Sequence, residues 1–505
     1  MIRFFNLLII AYSVDHPKIL RDYSRNSTYE ISNRLYNTNS MSINNQTSSI
    51  FKPLSMKRIF ETWWPLAASW MLMGAELPAL SAVIARLENP KINLAAYGGI
   101  VFPISLIIEA PIIMLLAAST ALCKDYDSYR KLWRFMMVSG ASLTILHILI
   151  AFTPLYYIVA EGIIGAPKAI IEPARTGLMI MTPWTWSIAY RRFNQGVLIR
   201  FGHSKVVGVG TIVRLSADII VLLIGYSIGN IPGIIVATSA VATGVISEAI
   251  YSGIVARPVV NNEVKTAPPP DIPLIFSEFL KFYTPLAMTS LLLLLVQPLG
   301  SAALSRMPRA IDSLAVWPVV SGLVFLLRSV GMAYNEVVVA LLDEPLSTHS
   351  LRRFTYYLAG FVTILLIIIT VTPLAPVWFV GVQGLSEELA SLAILGMWLA
   401  LPIPGLNVFQ SWYQGAIVVS RRTRGITEAV ALFLITTIII LWVGATGNQI
   451  IGLYVGLTAF SIAMLVQTLW LWYRSRPALH STLQRDESQA QDFTSKAFGD
   501  RSAMQ

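Results

Sequence analysis

The chain has 505 residues, of which 55% are hydrophobic and 13% charged, with a formal net charge of +10. A soluble protein carries roughly 25% charged residues, so this composition excludes an ordinary soluble enzyme and indicates a membrane protein. A single cysteine and five histidines exclude a disulfide framework and a Cys/His metal cluster. The basic balance fits the cations that orient polytopic chains; nucleic acid is excluded as a partner because no basic patch is interleaved with a soluble fold.

The first segment, MIRFFNLLIIAYS, has an apolar core well short of the about 20 residues needed to span a bilayer. Residues 22 to 50 are polar and rich in Asn and Ser, a composition that stays disordered. A disordered tail over 1–55 is therefore expected, with the folded part starting at Met56. Initiation at Met41 or Met56 would make that tail dispensable. The sequons at Asn26 and Asn45 are expected to be fortuitous if the tail is cytoplasmic.

In hydrocarbon every backbone polar group must be satisfied within its segment, so long apolar runs are read as helices. Twelve follow: 63 to 86, 96 to 121, 135 to 158, 175 to 192, 206 to 227, 232 to 255, 274 to 302, 314 to 342, 354 to 379, 388 to 413, 426 to 444 and 450 to 473. Connections after the even-numbered spans carry fifteen cations, among them Arg191, Arg192, Arg200, Lys205, Arg421, Arg422 and Arg424, against six in the others. That asymmetry places both termini in the cytoplasm, with Arg191 and Arg192 snorkelling to the interface.

The chain repeats itself. Pro65-Leu66-Ala67 recurs as Pro285-Leu286-Ala287, and Pro78 as Pro298, at an offset of 220; Arg134-Phe135 recurs as Arg353-Phe354, and Gln195-Gly196 as Gln414-Gly415, at 219. Six spans separate equivalent points, so the halves are parallel repeats about an axis along the membrane normal. The expected fold is all-α and polytopic, with about 12 transmembrane helices in two six-helix lobes. Its parts are an N-lobe over 56–256, a polar, proline-rich linker over 257–273, a C-lobe over 274–475 and a cytoplasmic tail over 476–505. Small residues permit close helix approach, which gives Gln195, Gly196, Gln414 and Gly415 a packing role.

FNQGVLIRFGHSK and WYQGAIVVSRRTR resemble the Gln-Gly, apolar stretch and basic loop of the multidrug/oligosaccharidyl-lipid/polysaccharide (MOP) exporter superfamily, which includes the multidrug and toxin extrusion (MATE) proteins. Residues 136–159, MMVSGASLTILHILIAFTPLYYIV, and 279–287, FLKFYTPLA, are similar to the progressive ankylosis branch of that superfamily. The resemblance covers roughly residues 57 to 475. It implies a MATE-like secondary transporter working by alternating access, with spans 1, 2, 7 and 8 lining a central cleft. The implied alternatives are a flippase of lipid-linked saccharide and an ankylosis-like exporter of pyrophosphate, citrate or nucleotide.

Charged groups at membrane depth are costly and mark candidate sites. Glu76 lies near the middle of the first span, two residues before Pro78, which bends the helix by removing a backbone donor. The resemblance implies that this acid and proline take part in ion coupling; a structural ion pair is the alternative. Glu109 and Arg328 lie at the centres of spans 2 and 8 at nearly equivalent positions. They are expected to meet across the cleft, as a gate or an anion site, or to form a static pair. Gln297, Asn335 and Glu336 are further cleft candidates; Glu248 and His147 read as helix-to-helix hydrogen bonds. Arg214 and Asp218, four apart, are expected to satisfy each other.

The expected partners are the bilayer, a small-molecule or lipid-linked substrate, and H+ or Na+ as coupling ion, at the plasma membrane. No cofactor is expected. The absence of a GxxxxGK[ST] motif excludes ATP hydrolysis as its own energy source. A membrane transferase would need a Ser/His/Asp set or paired loop carboxylates, which the sequence lacks.

Overall fold

The long apolar runs form helices in the computed structural model, the first of them broken ahead of Pro78. It describes residues 54–270, 273–420 and 424–502, with side chains to residue 491. The expected tail up to residue 53, with its sequons and the alternative start Met41, lies outside the described residues, as do Arg421 and Arg422, whereas Met56 begins the first helix.

Among the described residues eleven helices are long and apolar enough to cross a membrane. They are α1 (Met56–Ile84), α2 (Pro90–Leu122), α3 (Tyr126–Phe152), α5 (Ser204–Ile228), α6 (Gly233–Val264), α7 (Phe276–Ser305), α8 (Ala310–Leu341), α9 (Thr348–Val371), α10 (Glu387–Val419), α11 (Arg424–Gly447) and α12 (Gly452–Ser502). The remaining expected span, α4, covers residues 168–200 in two segments, Lys168–Ile180 and Thr182–Arg200. Arg175, Arg191 and Arg192 make it less apolar than its neighbours. It runs eight residues past the apolar window ending at 192, because polar residues facing an internal cavity continue the helix.

In α1, Pro78 has no N–H to give the carbonyl of Gly74, and the helix divides into Met56–Gly74 and Glu76–Ile84. Asp125 starts α3 with a capping box, accepting from Ser128 N at 3.0 Å while Ser128 Oγ accepts from Asp125 N at 3.0 Å. Helix α6 continues to Val264, well into the expected linker, because Val259 and Val264 are buried and hold the extension against the bundle.

The two halves pack by the same rule. In the first, α4 lies against α2, α3 and α6, and α5 against α6; in the second, α10 lies against α8, α9 and α12, and α11 against α12. The first helix of each half crosses over: α1 packs along α8, and α7 along α2. Trp63 Nε1 donates to Val330 O at 3.0 Å, while Tyr283 Oη and Ser290 Oγ each donate at 2.5 Å to the carbonyls of Pro111 and Ala110. Helices α2 and α8 are therefore central: 78% and 67% of their apolar windows are buried, against 17% for α11, which faces lipid.

Beyond the C-terminal ends of α1 and α7 the exchange is repeated by two arginines. Arg86 Nη2 donates to Gly381 O at 2.5 Å; Arg306 Nη1 and Nη2 donate to Ile164 O and Ile163 O at 2.6 and 2.8 Å. Each reaches the short helical turn following α3 or α9 of the opposite lobe, which ends in a left-handed glycine, Gly165 at φ 70° or Gly384 at φ 71°. A left-handed residue without Cβ turns the last carbonyls toward the incoming guanidinium at no steric cost. Lys91 of α2 and Asp312 of α8 add a cross-lobe ion pair at the same end.

At the other end, α12 continues through the expected tail as helix rather than leaving the protein. Asp486 accepts from Thr348 N at 2.9 Å and so caps α9, while Arg485 donates to the carbonyls of Leu342 and Glu344 at 2.9 and 3.1 Å beyond the end of α8. Glu344 also pairs with Arg58 of α1 at 2.7 Å.

Candidate functional site

Two adjoining cavities lie within the helix bundle, the first of them between the lobes. The larger, about 380 Å³, is lined on the N-lobe side by Glu76, Glu109, Arg191, Arg192, Arg214 and Glu248, and on the C-lobe side by Gln297 and Arg328 with Trp317, Phe325 and Phe460. Three carboxylates thus face four guanidiniums on a wall that is otherwise mostly apolar, with Gln195, Thr211, Gln297 and Ser321 among its neutral polar groups. The second, about 230 Å³, lies within the C-lobe and is lined by Asn335, Glu336, Asn407, Gln410, Gln414 and Gln467, with Met464 and Phe433. Trp70, Gln297, Arg328 and Phe460 line both.

The bend in α1 carries Glu76 to the cavity wall, where it pairs with Arg214 of α5. The expected pairing of Arg214 with Asp218 is overturned. Both carboxylate oxygens of Asp218 are buried without a hydrogen-bond partner, because the arginine points to α1, whereas Asp218 packs on the backbone side of Gly244 in α6. Pro78 packs against Gly322 of α8, so the bend sits at the lobe interface.

Arg191 and Arg192, expected at the membrane surface, are instead only 4% and 6% exposed. Arg191 pairs with Glu248, whose other oxygen accepts from Gln195 Nε2 at 2.8 Å. Eight and nine residues before their helix ends at Arg200, the arginines line the cavity. Gln195 contributes to that network, while Gln414, its repeat equivalent, lines the C-lobe cavity. Both following glycines sit at close crossings. A Cβ on Gly196 would lie 1.9 Å from Ser119 Oγ and 2.5 Å from Leu116 O, and one on Gly415 would lie 2.5 Å from Val338.

Glu109 and Arg328 both line the larger cavity, yet no ion pair or hydrogen bond joins them in this conformation among the described residues. The charges acting most on Glu109 are Arg192 and Arg191 of its own lobe, and its Oε2 has no donor. Arg328 lies over the Phe460 ring, 5.4 Å from the centroid, with Nε buried and unbonded. Glu336 accepts from Trp70 Nε1 at 3.3 Å and Asn335 donates to Ser411 O at 3.1 Å. His147 is structural: its ring bonds Thr185 Oγ1 at 2.8 Å and Leu178 O at 3.1 Å.

Asn407, Gln410 and Gln467 were legible only as spacing. Asn407, Gln410 and Gln414 recur at intervals of three and four, which places them on one helix face.

No protein-family model and no curated protein sequence matches the chain. Solved structures do resemble it. An inward-facing multidrug resistance MATE transporter of the MOP superfamily aligns with a TM-score of 0.59 at 14% identity, over 81% of this chain and 95% of that one. A Vibrio cholerae MATE transporter gives 0.57 at 19% identity, over 85% and 98%. The lipid II flippase MurJ gives 0.55 at 15% identity, over 83% and 90%. At these identities the likeness is one of architecture, and the chain has the all-α, two-lobe fold seen in MATE transporters of the MOP superfamily and in MurJ.

Proposed function

We propose that this chain is a secondary transporter that moves a small organic anion across the plasma membrane by alternating access of its two lobes, with both termini cytoplasmic. The observation that carries the reading is Arg328. It is a guanidinium at membrane depth, on the wall of a cavity between the lobes, with no carboxylate in ion-pair range among the described residues. An isolated charge there is costly, and an anionic substrate would supply the missing partner. Glu76 and Glu248, by contrast, are held by Arg214 and Arg191. A volume of about 380 Å³ lies at the small end of ligand pockets, which run from about 300 to 1,000 Å³. That size favours a metabolite over a lipid-linked saccharide. The similarity of residues 136–159 and 279–287 to the ankylosis branch, linked to small-anion export, supports the same reading.

Ion coupling belongs to the same proposal. Glu76 stands at the break in α1 and is tied to α5, so H+ or Na+ competing with Arg214 for its carboxylate would free the bend. Two experiments test the whole. Thermal stability of the purified protein is measured against pyrophosphate, citrate, nucleotides and amphipathic cations, a ligand at 100 times its Kd adding about 2.7 kcal/mol. Counterflow of the stabilising anion into proteoliposomes follows. Stabilisation by anions, lost in Arg328→Gln, supports the proposal. Stabilisation by amphipathic cations instead, lost in Glu76→Gln, would make the protein a multidrug extruder.

A further inference from the structure

The wall of the larger cavity changes character at Arg328. On α8 the residues that line it, Trp317, Ser321, Val324, Phe325 and Arg328, recur at intervals of three and four, so they share one helix face. Up to the guanidinium that face is apolar and aromatic, interrupted by Ser321 alone. The Phe460 ring of α12, on the same cavity wall, packs against the guanidinium with its centroid 5.4 Å away. Beyond Arg328, Glu336 lines the adjoining cavity about two helix turns further along α8, where it accepts from Trp70 Nε1 at 3.3 Å. Arg328 thus stands between an apolar, aromatic compartment on one side and a carboxylate-bearing one on the other.

We propose that the larger cavity takes a monoanion carried on an apolar, aromatic body, with its acid group at Arg328 and its ring against Phe325 and Trp317. This rests on the reading of Arg328 as the anion site. In a ligand pocket a few placed polar groups fix orientation, and burial of apolar surface drives binding. Arg328 has no ion-pair partner among the described residues, whereas Arg214 and Arg191 are held by Glu76 and Glu248. A single negative charge therefore matches the site. A compact polyanion such as citrate would bring its further charges against apolar side chains, which is costly, or toward Glu336, which would repel them.

The test is a calorimetric titration of the purified full-length protein with citrate and with two pairs of probes matched in charge, acetate against benzoate and methanesulfonate against benzenesulfonate. The added ring should make the aryl member of each pair bind about tenfold or more tighter, and citrate should bind no tighter than acetate. Phe325→Ala should cut the aryl preference severalfold, while Arg328→Gln should weaken both members of a pair. Trp317→Ala, at a half-buried position on the same stripe, serves if Phe325→Ala does not fold. A ratio near one in both pairs, a ratio unaltered by the substitution on the stripe, or citrate binding tighter than the aryl anions overturns the aromatic class while leaving the anion site standing. Failure of every anion to bind overturns the reading beneath it, and the aromatic class with it.

Discussion

Arg191 and Glu248 offer the sharpest test of the electrostatics. Their side chains are 5% and 2% exposed, and they are each other's only ion-pair partner among the described residues. Arg191→Met strands a carboxylate that keeps a single bond, from Gln195 at 2.8 Å. Removing one partner of a buried pair costs about 3–5 kcal/mol. Arg191→Met combined with Glu248→Gln removes both charges and keeps an acceptor for Gln195, so the double variant should lie within ~1 kcal/mol of the native protein. The cycle therefore predicts a coupling of about 3 kcal/mol or more. Unfolding by SDS in mixed micelles, followed by tryptophan fluorescence, reads it. A double variant no more stable than the weaker single variant would refute the assignment, since the arginine would then be held by something other than Glu248.

The remaining predictions concern packing, reactivity and the seal between lobes. Gly196→Ala brings a methyl to 2.5 Å from the Leu116 carbonyl, an overpacking cost of about 1–3 kcal/mol that outweighs the helix-propensity gain of ~1 kcal/mol. Gly208→Ala, with nothing within 4 Å, should keep that gain; similar melting temperatures for the two would refute the packing argument. Burial pushes the Cys123 thiol up to about 12, with Arg200 opposing and Asp125 adding. A raised thiol value means the unreactive protonated form persists up to that pH, so maleimide labelling should stay negligible between pH 7 and 9 in the folded protein; rapid labelling there would contradict it. With that background silent, Gln297→Cys reports access to the cavities. Arg86→Ala with Arg306→Ala should speed its labelling about tenfold or more from the far end, each charged hydrogen bond being worth about 1.5–3 kcal/mol. An unchanged rate would show that the two arginines do not hold that end shut.

Much of the fold could be read from the sequence because it rests on patterns that water and lipid impose. Apolar windows gave the helices, and the offset of 219 to 220 gave the doubling; the same offset relates Arg86 to Arg306 and Gly165 to Gly384 in space. The site was legible where a charge stood alone in grease, as at Glu76, Glu109 and Arg328. It was misread where charge lay near the end of an apolar run. Arg191 and Arg192 have the composition of an interface anchor, and only the continuation of their helix to Arg200 brings them inside. Partner choice was equally invisible: the local spacing of Arg214 and Asp218 favours a pair, while the bend at Ala75 delivers Glu76 from another helix. Asn407, Gln410 and Gln467 escaped notice because neutral side chains are cheap enough in a helix bundle to be taken for packing.

The cross-lobe hydrogen bonds of Arg86 and Arg306 have a further property, which concerns how freely their surroundings can vary. Both guanidiniums are received by main-chain carbonyls, of Gly381 and of Ile163 and Ile164. A carbonyl is present whatever the side chain, so the receiving turns carry almost no sequence requirement beyond the left-handed glycines that shape them. Substitutions at Ile163 and Ile164 should therefore be tolerated during evolutionary drift, while the two arginines and two glycines are held. The bridge between the lobes at this end would be inherited as geometry, leaving the turn surfaces free to change.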